Sequence, residues 1–283
     1  MSIDYRCIDC FKRNYSKLTA RFPLTESQSE NFMKYFDEVM KNVSTKSSPK
    51  IQRDLHRKFR DCINIKDPYY KEKKLSNKIA LDLYKIWKPK VLKSKDPFDT
   101  ALRLAVAANI IDYGALDKFD LDSTIDRVFQ TNFTIDYSSE LKEKIKKAKT
   151  VLYLGDNAGE IVFDKLFIET IDHRNVIYVV KGGPIINDIT IEDAKEVNMN
   201  TVAKVISNAY DAPSTVLKKS GKLFTKFYNK ADLIISKGQG NFEGLFSEKD
   251  PRIFFLFMAK CDLIAELVQA EKDSFIVYNQ PQN

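Results

Sequence analysis

Residues Thr150–Asp164 read TVLYLGDNAGEIVFD, and the fold of the chain follows from how this stretch changes character. Val151–Leu154 is a short apolar run with the length of a buried strand. Gly155 stops it, and Asp156, Asn157, Ala158, Gly159 and Glu160 follow as a tight, mainly polar turn. From Glu160 onward the apolar positions Ile161, Phe163, Leu166, Phe167 and Ile171 recur at helical spacing. A strand therefore enters a tight loop, and the loop opens a helix. In an open parallel sheet, ligands bind at such loops, beyond the carboxyl ends of the strands. Here the loop sets a carboxylate beside an amide oxygen, a pair of hard donors that suits Mg²⁺, Mn²⁺ or a similar ion.

Toward the C-terminus the same alternation continues. Strand-like runs at Val151–Leu154, Val176–Val180, Val202–Ile206, Leu233–Ser236, Phe254–Ala259 and Phe275–Tyr278 are separated by helical patterns. This predicts an α/β layered domain over residues 148–283 with a mainly parallel sheet. Residues 1–147 read instead as a mostly helical region. Thr25 and Gln28 predict a capping box at the head of a helix running through Val43. The polar stretch Ser44–Pro49 breaks the pattern, and helical spacing resumes near Ile51. Over Lys71–Leu92, the positions Leu75, Ile79, Leu83, Ile86 and Trp87 predict one buried face. Asp96–Pro97 announces a further helix that Gly114 stops, with Asn109 and Asp112 sharing a face near its end. Asp120–Asp136 reads as a loop with short elements, and Leu141–Ala148 as a short basic helix.

The 283 residues carry 46 Lys plus Arg against 39 Asp plus Glu, a formal charge of +7. That charge alone would permit nucleic-acid binding, but the signs are interspersed, and the densest basic stretch, Lys142–Lys149, reads as a solvated helix face. A positive field also attracts small phosphorylated substrates. The N-terminus has charges throughout and no apolar segment of the signal-peptide kind, and no uninterrupted apolar run is long enough to cross a bilayer. The expectation is a soluble cytoplasmic protein without a disulfide framework. Cys7 and Cys10 form a C-x-x-C pair, with Cys62 as a third candidate partner. They read either as a metal or redox group or, more plainly, as small half-buried residues tying the N-terminus down. With only His56 and His173 available, a four-ligand zinc site lacks a clear fourth ligand.

Three strand ends carry unusual polar segments: GDNAGE at Gly155–Glu160, KGGPIINDIT at Lys181–Thr190, and SKGQGNFEGL at Ser236–Leu245. A parallel sheet places all three on one edge. Asp156 and Asp188 then supply anionic oxygens, Asn157 a neutral one, and Lys181 and Lys237 positive charge. Gly182, Gly183, Gly238 and Gly240 allow close backbone approach. A metal with lysines is what phosphoryl transfer requires. Each piece has a plainer reading: Asp156 as a helix cap, Asn187–Asp188 as another helix start, the lysines as surface residues, Asn109 and Asp112 as local capping. Their conjunction at three strand ends favours a site. The chain has no G-x-x-x-x-G-K-[ST] phosphate loop, no G-x-S-x-G elbow and no His–Glu–His zinc helix. The competing readings are an S-adenosylmethionine-dependent methyltransferase and a nonenzymatic nucleic-acid or protein-binding module. The first is disfavoured because its loop usually needs glycines where Asp156–Ala158 stand.

GDNAGEIVFD, GGPIINDITIEDA and SKGQGNFEGL together resemble the metal-dependent damage-control phosphatase family, long catalogued as a domain of unknown function and in part described as acidic-residue methyltransferase-like. AVAANIIDYG resembles the family's helix motif, with Ala108 where Gly is usual, and CIDC and DPYYKEK resemble its archaeal and bacterial branch. The resemblance implies a helical N-terminal part beside an α/β part, with the active site between them. It implies Asp156, Asn157 and Asp188 as ligands of a divalent ion (Mg, Mn, Co or Ni). It places Glu160, Asn109 and Asp112 along the substrate pocket, Lys237 at the substrate phosphate and, as a looser match, Lys181. The implied reaction is hydrolysis of phosphomonoesters of small metabolites, such as sugar phosphates, nucleotides or damaged side products. Whether an activated water or a carboxylate such as Asp156 attacks stays open.

Overall fold

The structure is a computed structural model and describes residues 4–43, 47–108 and 132–280. Its centre is a seven-stranded sheet: β1 (Ile135–Asp136), β2 (Val151–Leu154), β3 (Val176–Val180), β4 (Lys204–Ser207), β5 (Leu233–Lys237), β6 (Ile253–Met258) and β7 (Phe275–Asn279). The strand order is β1-β7-β6-β5-β2-β3-β4, and every neighbouring pair is parallel except β6 with β7. β2, β3 and β5 are buried along their whole length. Helices cover both faces, which is why these strands read as unbroken apolar runs rather than as alternation. The expected strands are all present, with ends moved by one or two residues. β1 lies at the end of the stretch read as a loop with short elements: its two residues pair with Ile276 and Val277 and are too short to show a period.

Helices α1 (Tyr5–Arg21), α2 (Glu26–Lys41) and α3 (Ser48–Ile63) enclose their own core of Phe11, Phe32, Phe36, Leu55 and Phe59. The capping box at Thr25 and Gln28 forms as expected. By contrast α4 (Tyr70–Lys93), α5 (Pro97–Ala107), α6 (Ser138–Lys147) and α7 (Glu160–Ile171) pack on one face of the sheet. The opposite face is covered by α9 (Lys222–Lys230), α10 (Gln239–Leu245) and α11 (Asp262–Val268); a short α8 (Ile191–Glu196) lies after β3.

One expectation for α4 needs correcting. Leu75 and Ile86 are each 52% exposed, while Lys73, Ser76, Asn77, Ala80, Leu83, Trp87 and Val91 are buried. The buried stripe is rotated from the apolar one because three of its members are polar, and two of them, Lys73 and Asn77, hold the partners described below. Asn109, Asp112 and Gly114 lie outside the described residues. No described helix is long and apolar enough to cross a membrane.

Candidate active site

Strand order runs outward from β2 in both directions, to β3 on one side and β5 on the other, so the loops after β2 and β5 open a crevice at a topological switch point. The segment after β3 folds back into it. Ile189 N–H donates to the Asp156 carbonyl (2.9 Å), Ala158 N–H to that of Asn187 (3.0 Å), and Lys181 N–H to that of Ile189 (2.9 Å). An isolated antiparallel bridge thereby pairs Asn157 with Asp188. The backbone itself sets the first and second polar segments side by side. Each also starts a helix: Glu160 is the first residue of α7, and Thr190 caps α8 in a capping box with Asp193.

Asp156, Asn157 and Asp188 line a cavity of about 290 Å³. Its other walls include Gln239, Gly240, Glu243 and Lys260 from the sheet edge, and Asn14, Pro49 and Gln52 from α1 and α3. The cavity therefore sits between the α1–α3 bundle and the α/β body. Asp188 is 3% exposed, and its buried Oδ2 accepts no hydrogen bond; its cationic neighbour is Lys181, at 3.4 Å. Burial pushes the Asp156 carboxyl up to about 6, with the Glu160 charge adding to it. Burial also pushes Asp188 up to about 8, with Lys181 opposing and Asp156 adding. Two facing carboxylates that resist ionisation in this way are short of positive charge. Asn157 Nδ2 donates to Asp156 Oδ2 (2.8 Å) and to Glu160 Oε2 (3.4 Å), so its amide oxygen is turned toward neither carboxylate. A carboxylate oxygen that meets Lys181 at 3.4 Å but accepts no hydrogen bond, a second carboxylate and an oriented amide oxygen fit a hard divalent ion, the remaining positions being left to water and substrate.

Gly238 makes this arrangement possible. Its φ is +79°, and a Cβ there would collide with the Asp156 carboxylate. Gly238→Ala is therefore expected to cost about 1–3 kcal/mol of stability and to abolish metal-induced stabilisation, read by thermal melts with and without Mn²⁺.

Neither of the two lysines is among the residues that line the cavity. Lys237 is fully buried, and its Nζ donates to the Ala105 carbonyl (2.7 Å), Glu160 Oε1 (2.5 Å) and Asp164 Oδ1 (2.7 Å). Its three N–H donors are thus engaged, and it holds Glu160 from beneath the loop instead of facing the cavity. Asp164 also accepts from Tyr153 (2.8 Å) and Tyr178 (2.7 Å). Lys181, 2% exposed, donates to Asn241 Oδ1 (3.0 Å) and pairs with Asp188. The residue that sequence reasoning missed is Lys260. It lines the cavity, its charge acts on Asp156, and its ammonium has no partner among the described residues. The signal for it was available: Lys260 follows β6, whose end lies on the same edge as those of β5 and β2.

Side chains from the helical part fix the loops. Asn77 Oδ1 accepts from Gly159 N–H (2.7 Å), and buried Lys73 pairs with Asp67 (2.9 Å) and Asp193 (3.1 Å). These are the polar members of the α4 stripe, and they tie the DPYYKEK segment to both site loops. From α3, Arg60 donates to the Pro184 carbonyl (2.8 Å). His56 Nε2 accepts from Ile186 N–H (3.4 Å), with burial and nearby Arg60 holding the imidazole neutral, at about 3. Ile186 has φ of 44°, a strained conformation for a β-branched residue, two positions before Asp188.

A doubly covered, mainly parallel sheet with two buried carboxylates and an amide at its switch point defines a class: an α/β protein with a polar crevice at the carboxyl edge of its sheet. Comparison with known proteins then places it. The model of the damage-control phosphatase ARMT1-like domain matches residues 3–276, and the chain belongs to that family. It is 38% identical to a damage-control phosphatase of Pyrococcus horikoshii over 214 residues, 74% of each chain. It is 33% identical to a damage-control phosphatase of Archaeoglobus fulgidus over 218 residues, 75% of each. It is also 34% identical to an uncharacterized protein of Methanocaldococcus jannaschii, over 94% of this chain and 91% of the other. The crystal structure of a DUF89 family protein from P. horikoshii superposes with a TM-score of 0.91 at 30% identity, covering 99% of both chains. These matches favour neither the methyltransferase nor the binding-module reading.

Proposed function

We propose that this chain is a divalent-metal-dependent phosphatase that hydrolyses phosphomonoesters of small cytoplasmic metabolites, in the metabolite-repair role its family name describes. The observation that carries the reading is the backbone-paired meeting of Asp156–Asn157 with Asp188, whose buried Oδ2 has no hydrogen bond. Asp156, Asn157 and Asp188 would hold the ion, whether Mg²⁺, Mn²⁺, Co²⁺ or Ni²⁺. When bound, such an ion draws in phosphoryl oxygens and neutralises the charge that develops on them. Lys260 meets the remaining phosphate charge from the β6 side of the cavity. Lys181 keeps Asp188 in place, and the Lys237–Glu160 pair fixes the Asn157 amide. The α1–α3 bundle closes the cavity with Asn14 and Gln52, which offer hydrogen bonds to the non-phosphate part of a substrate. No histidine lines the cavity among the described residues, so proton transfer falls to carboxylates and water.

The test is hydrolysis of an aryl phosphate by protein stripped of metal, with the four ions returned singly. At least one ion is expected to restore activity about a hundredfold or more over the chelated protein. Equal activity with and without chelator would overturn the metal requirement. Lys260→Met is expected to lower kcat/KM about 10- to 100-fold without weakening metal-induced stabilisation, which separates a phosphate contact from a metal ligand.

A further inference from the structure

One face of α3 meets both the cavity and the sheet edge beyond it. Pro49, Gln52, Arg53, His56 and Arg60 recur at helical spacing, with Arg57 at the margin of the same face. Pro49 and Gln52 line the cavity. His56 and Arg60 hold the turn at Pro184–Ile186, as described above. Arg53 and Arg57 converge instead on one carboxylate, that of Asp211. Arg57 donates from Nε to Oδ2 (2.6 Å) and from Nη2 to Oδ1 (2.8 Å), and Arg53 Nε donates to Oδ1 (2.7 Å). The Arg53 guanidinium also lies over the Tyr210 ring, 4.5 Å from its centre.

Asp211 belongs to the segment after β4, and that segment is fixed to the α/β body. Asn208 N–H donates to the Val180 carbonyl (2.9 Å), Gly182 N–H to that of Tyr210 (3.0 Å), and Tyr210 N–H to the Asn208 side-chain oxygen (3.0 Å). Pro213, two residues on, lines the cavity. The α1–α3 bundle, by contrast, has a hydrophobic core that is distinct, among the described residues, from the two that pack on the sheet. A unit with its own core is seated by the contacts at its edge, and a polar edge leaves that seating adjustable. The Asp211 side chain is 12% exposed. Burial acts against its charge, and the two guanidinium groups outweigh burial and hold the carboxyl below the usual range. A bidentate pair shared with a second arginine fixes a geometry that an isolated exposed pair does not. Arg53 is next to Gln52 in α3. Tyr15, next to Asn14 in α1, donates its hydroxyl to the Gln52 carbonyl (3.2 Å). What seats Gln52 therefore seats Asn14 as well.

We propose that Asp211 is a positioning residue for substrate binding: by clamping Arg53 and Arg57 it seats α3 so that Gln52 and Asn14 meet the organic part of a phosphomonoester. Asp211 is not among the residues that line the cavity, so it acts through Gln52 and Asn14. The divalent-ion site does not depend on the clamp, because backbone pairing within the body brings Asp156–Asn157 and Asp188 together. The effect on substrate rests on the phosphatase reading; the clamp does not.

The probe is 4-nitrophenyl phosphate, whose nitro oxygens accept hydrogen bonds from amides such as those of Gln52 and Asn14. Asp211→Asn keeps the shape of the side chain and removes its charge, and Arg57→Gln opens the clamp from its more exposed side. Each is expected to raise KM about tenfold with kcat within about twofold of wild type, and to leave the melting shift produced by Mn²⁺ unchanged. Asp211→Glu, which keeps the charge, should stay near wild type. Asp211→Asn combined with Gln52→Ala should be no worse than the worse single variant, because both remove the same contact. Amides of α3 should exchange with solvent about tenfold faster in Asp211→Asn, with those of β2 and β3 unchanged. An unchanged KM, or additive losses in the double variant, overturns the positioning role. So does a fall in kcat together with the Mn²⁺ response, which marks a merely structural residue. Unchanged exchange in α3 overturns the clamp. If wild-type protein hydrolyses the probe with none of the four ions, the phosphatase reading fails, and the exchange measurement still decides the clamp.

Discussion

Asp188→Asn is expected to lose metal-supported hydrolysis by about a thousandfold or more while making the metal-free protein more stable at high pH. The two effects come from one cause. Asp188 is 3% exposed and faces Asp156, and burial outweighs the Lys181 charge that meets its Oδ2 at 3.4 Å. Its carboxyl is therefore pushed from an ordinary 3.8 up to about 8, and that of Asp156 to about 6. A carboxyl that titrates higher in the folded chain than in the unfolded one favours folding below the unfolded value. That contribution is lost as pH rises through the folded value. Metal-free wild-type protein should therefore lose stability between about pH 4 and pH 8, on the order of a few kcal/mol at the upper end. A divalent ion reverses the trend because it binds the ionised form, so the melting shift it produces should grow over the same interval. The Asn variant has no charge to desolvate at that position. Its melting temperature should fall less with pH, exceed that of the wild type near pH 8 without metal, and respond weakly to Mn²⁺. Melts of chelated and Mn²⁺-loaded protein at pH 5 and pH 8 decide the matter. A variant less stable than wild type at pH 8 without metal, yet still strongly stabilised by Mn²⁺, would show that Asp188 is not held in the strained, metal-ready state described.

How much of this was legible beforehand depended on the range of the interactions involved. The strand–loop–helix at Thr150–Asp164 was readable because its cues are local: an apolar run of strand length, a stop at Gly155, and a change of period at Glu160. The convergence of GDNAGE with the ND-x-T segment followed from parallel strands, which put successive loops on one edge. The lysines were harder. Nothing near Lys237 or Lys181 in sequence shows that each is enclosed, because the residues enclosing them, Ala105, Glu160, Asp164, Asn241 and Asp188, come from other elements. Lys260 was missed for the complementary reason: a single lysine after an apolar run looks like a strand end, and only the position of β6 beside β5 brings it to the cavity. The α4 stripe was misjudged because apolarity was used as the marker of burial. Lys73 and Asn77 each have a partner more than eighty residues away, and they reach those partners by lying where an apolar side chain would have left the Asp193 carboxylate and the Gly159 N–H without them.

Lys237→Met should be the most damaging single change to the fold around the site. The substitution nearly preserves volume, so its effect is electrostatic. In the wild type one ammonium neutralises two carboxylates that are 1% and 0% exposed, and it ties them to the carbonyl of Ala105 in α5. Without it, Glu160 and Asp164 are left as facing buried anions, and at least one must take up a proton or reach water. Removing one partner of a buried charge group costs about 3–5 kcal/mol. A loss of that size in urea melts, reduced at low pH where the carboxylates are protonated, is the expected outcome. Lys237→Met combined with Glu160→Gln and Asp164→Asn should recover most of the stability because no buried charge remains. It should not recover activity, since a Gln at position 160 no longer offers the anionic oxygen that orients Asn157. This comparison separates the two roles open to Lys237. If the single variant is as stable as wild type and loses only affinity for phosphate, then Lys237 serves the substrate directly, as the family resemblance implies. If stability falls and is restored by neutralising its partners, then Lys237 acts on the substrate only through Glu160 and the loop above it. The geometry favours the second outcome, because a lysine whose three N–H groups are spent on Ala105, Glu160 and Asp164 has none left for a phosphate.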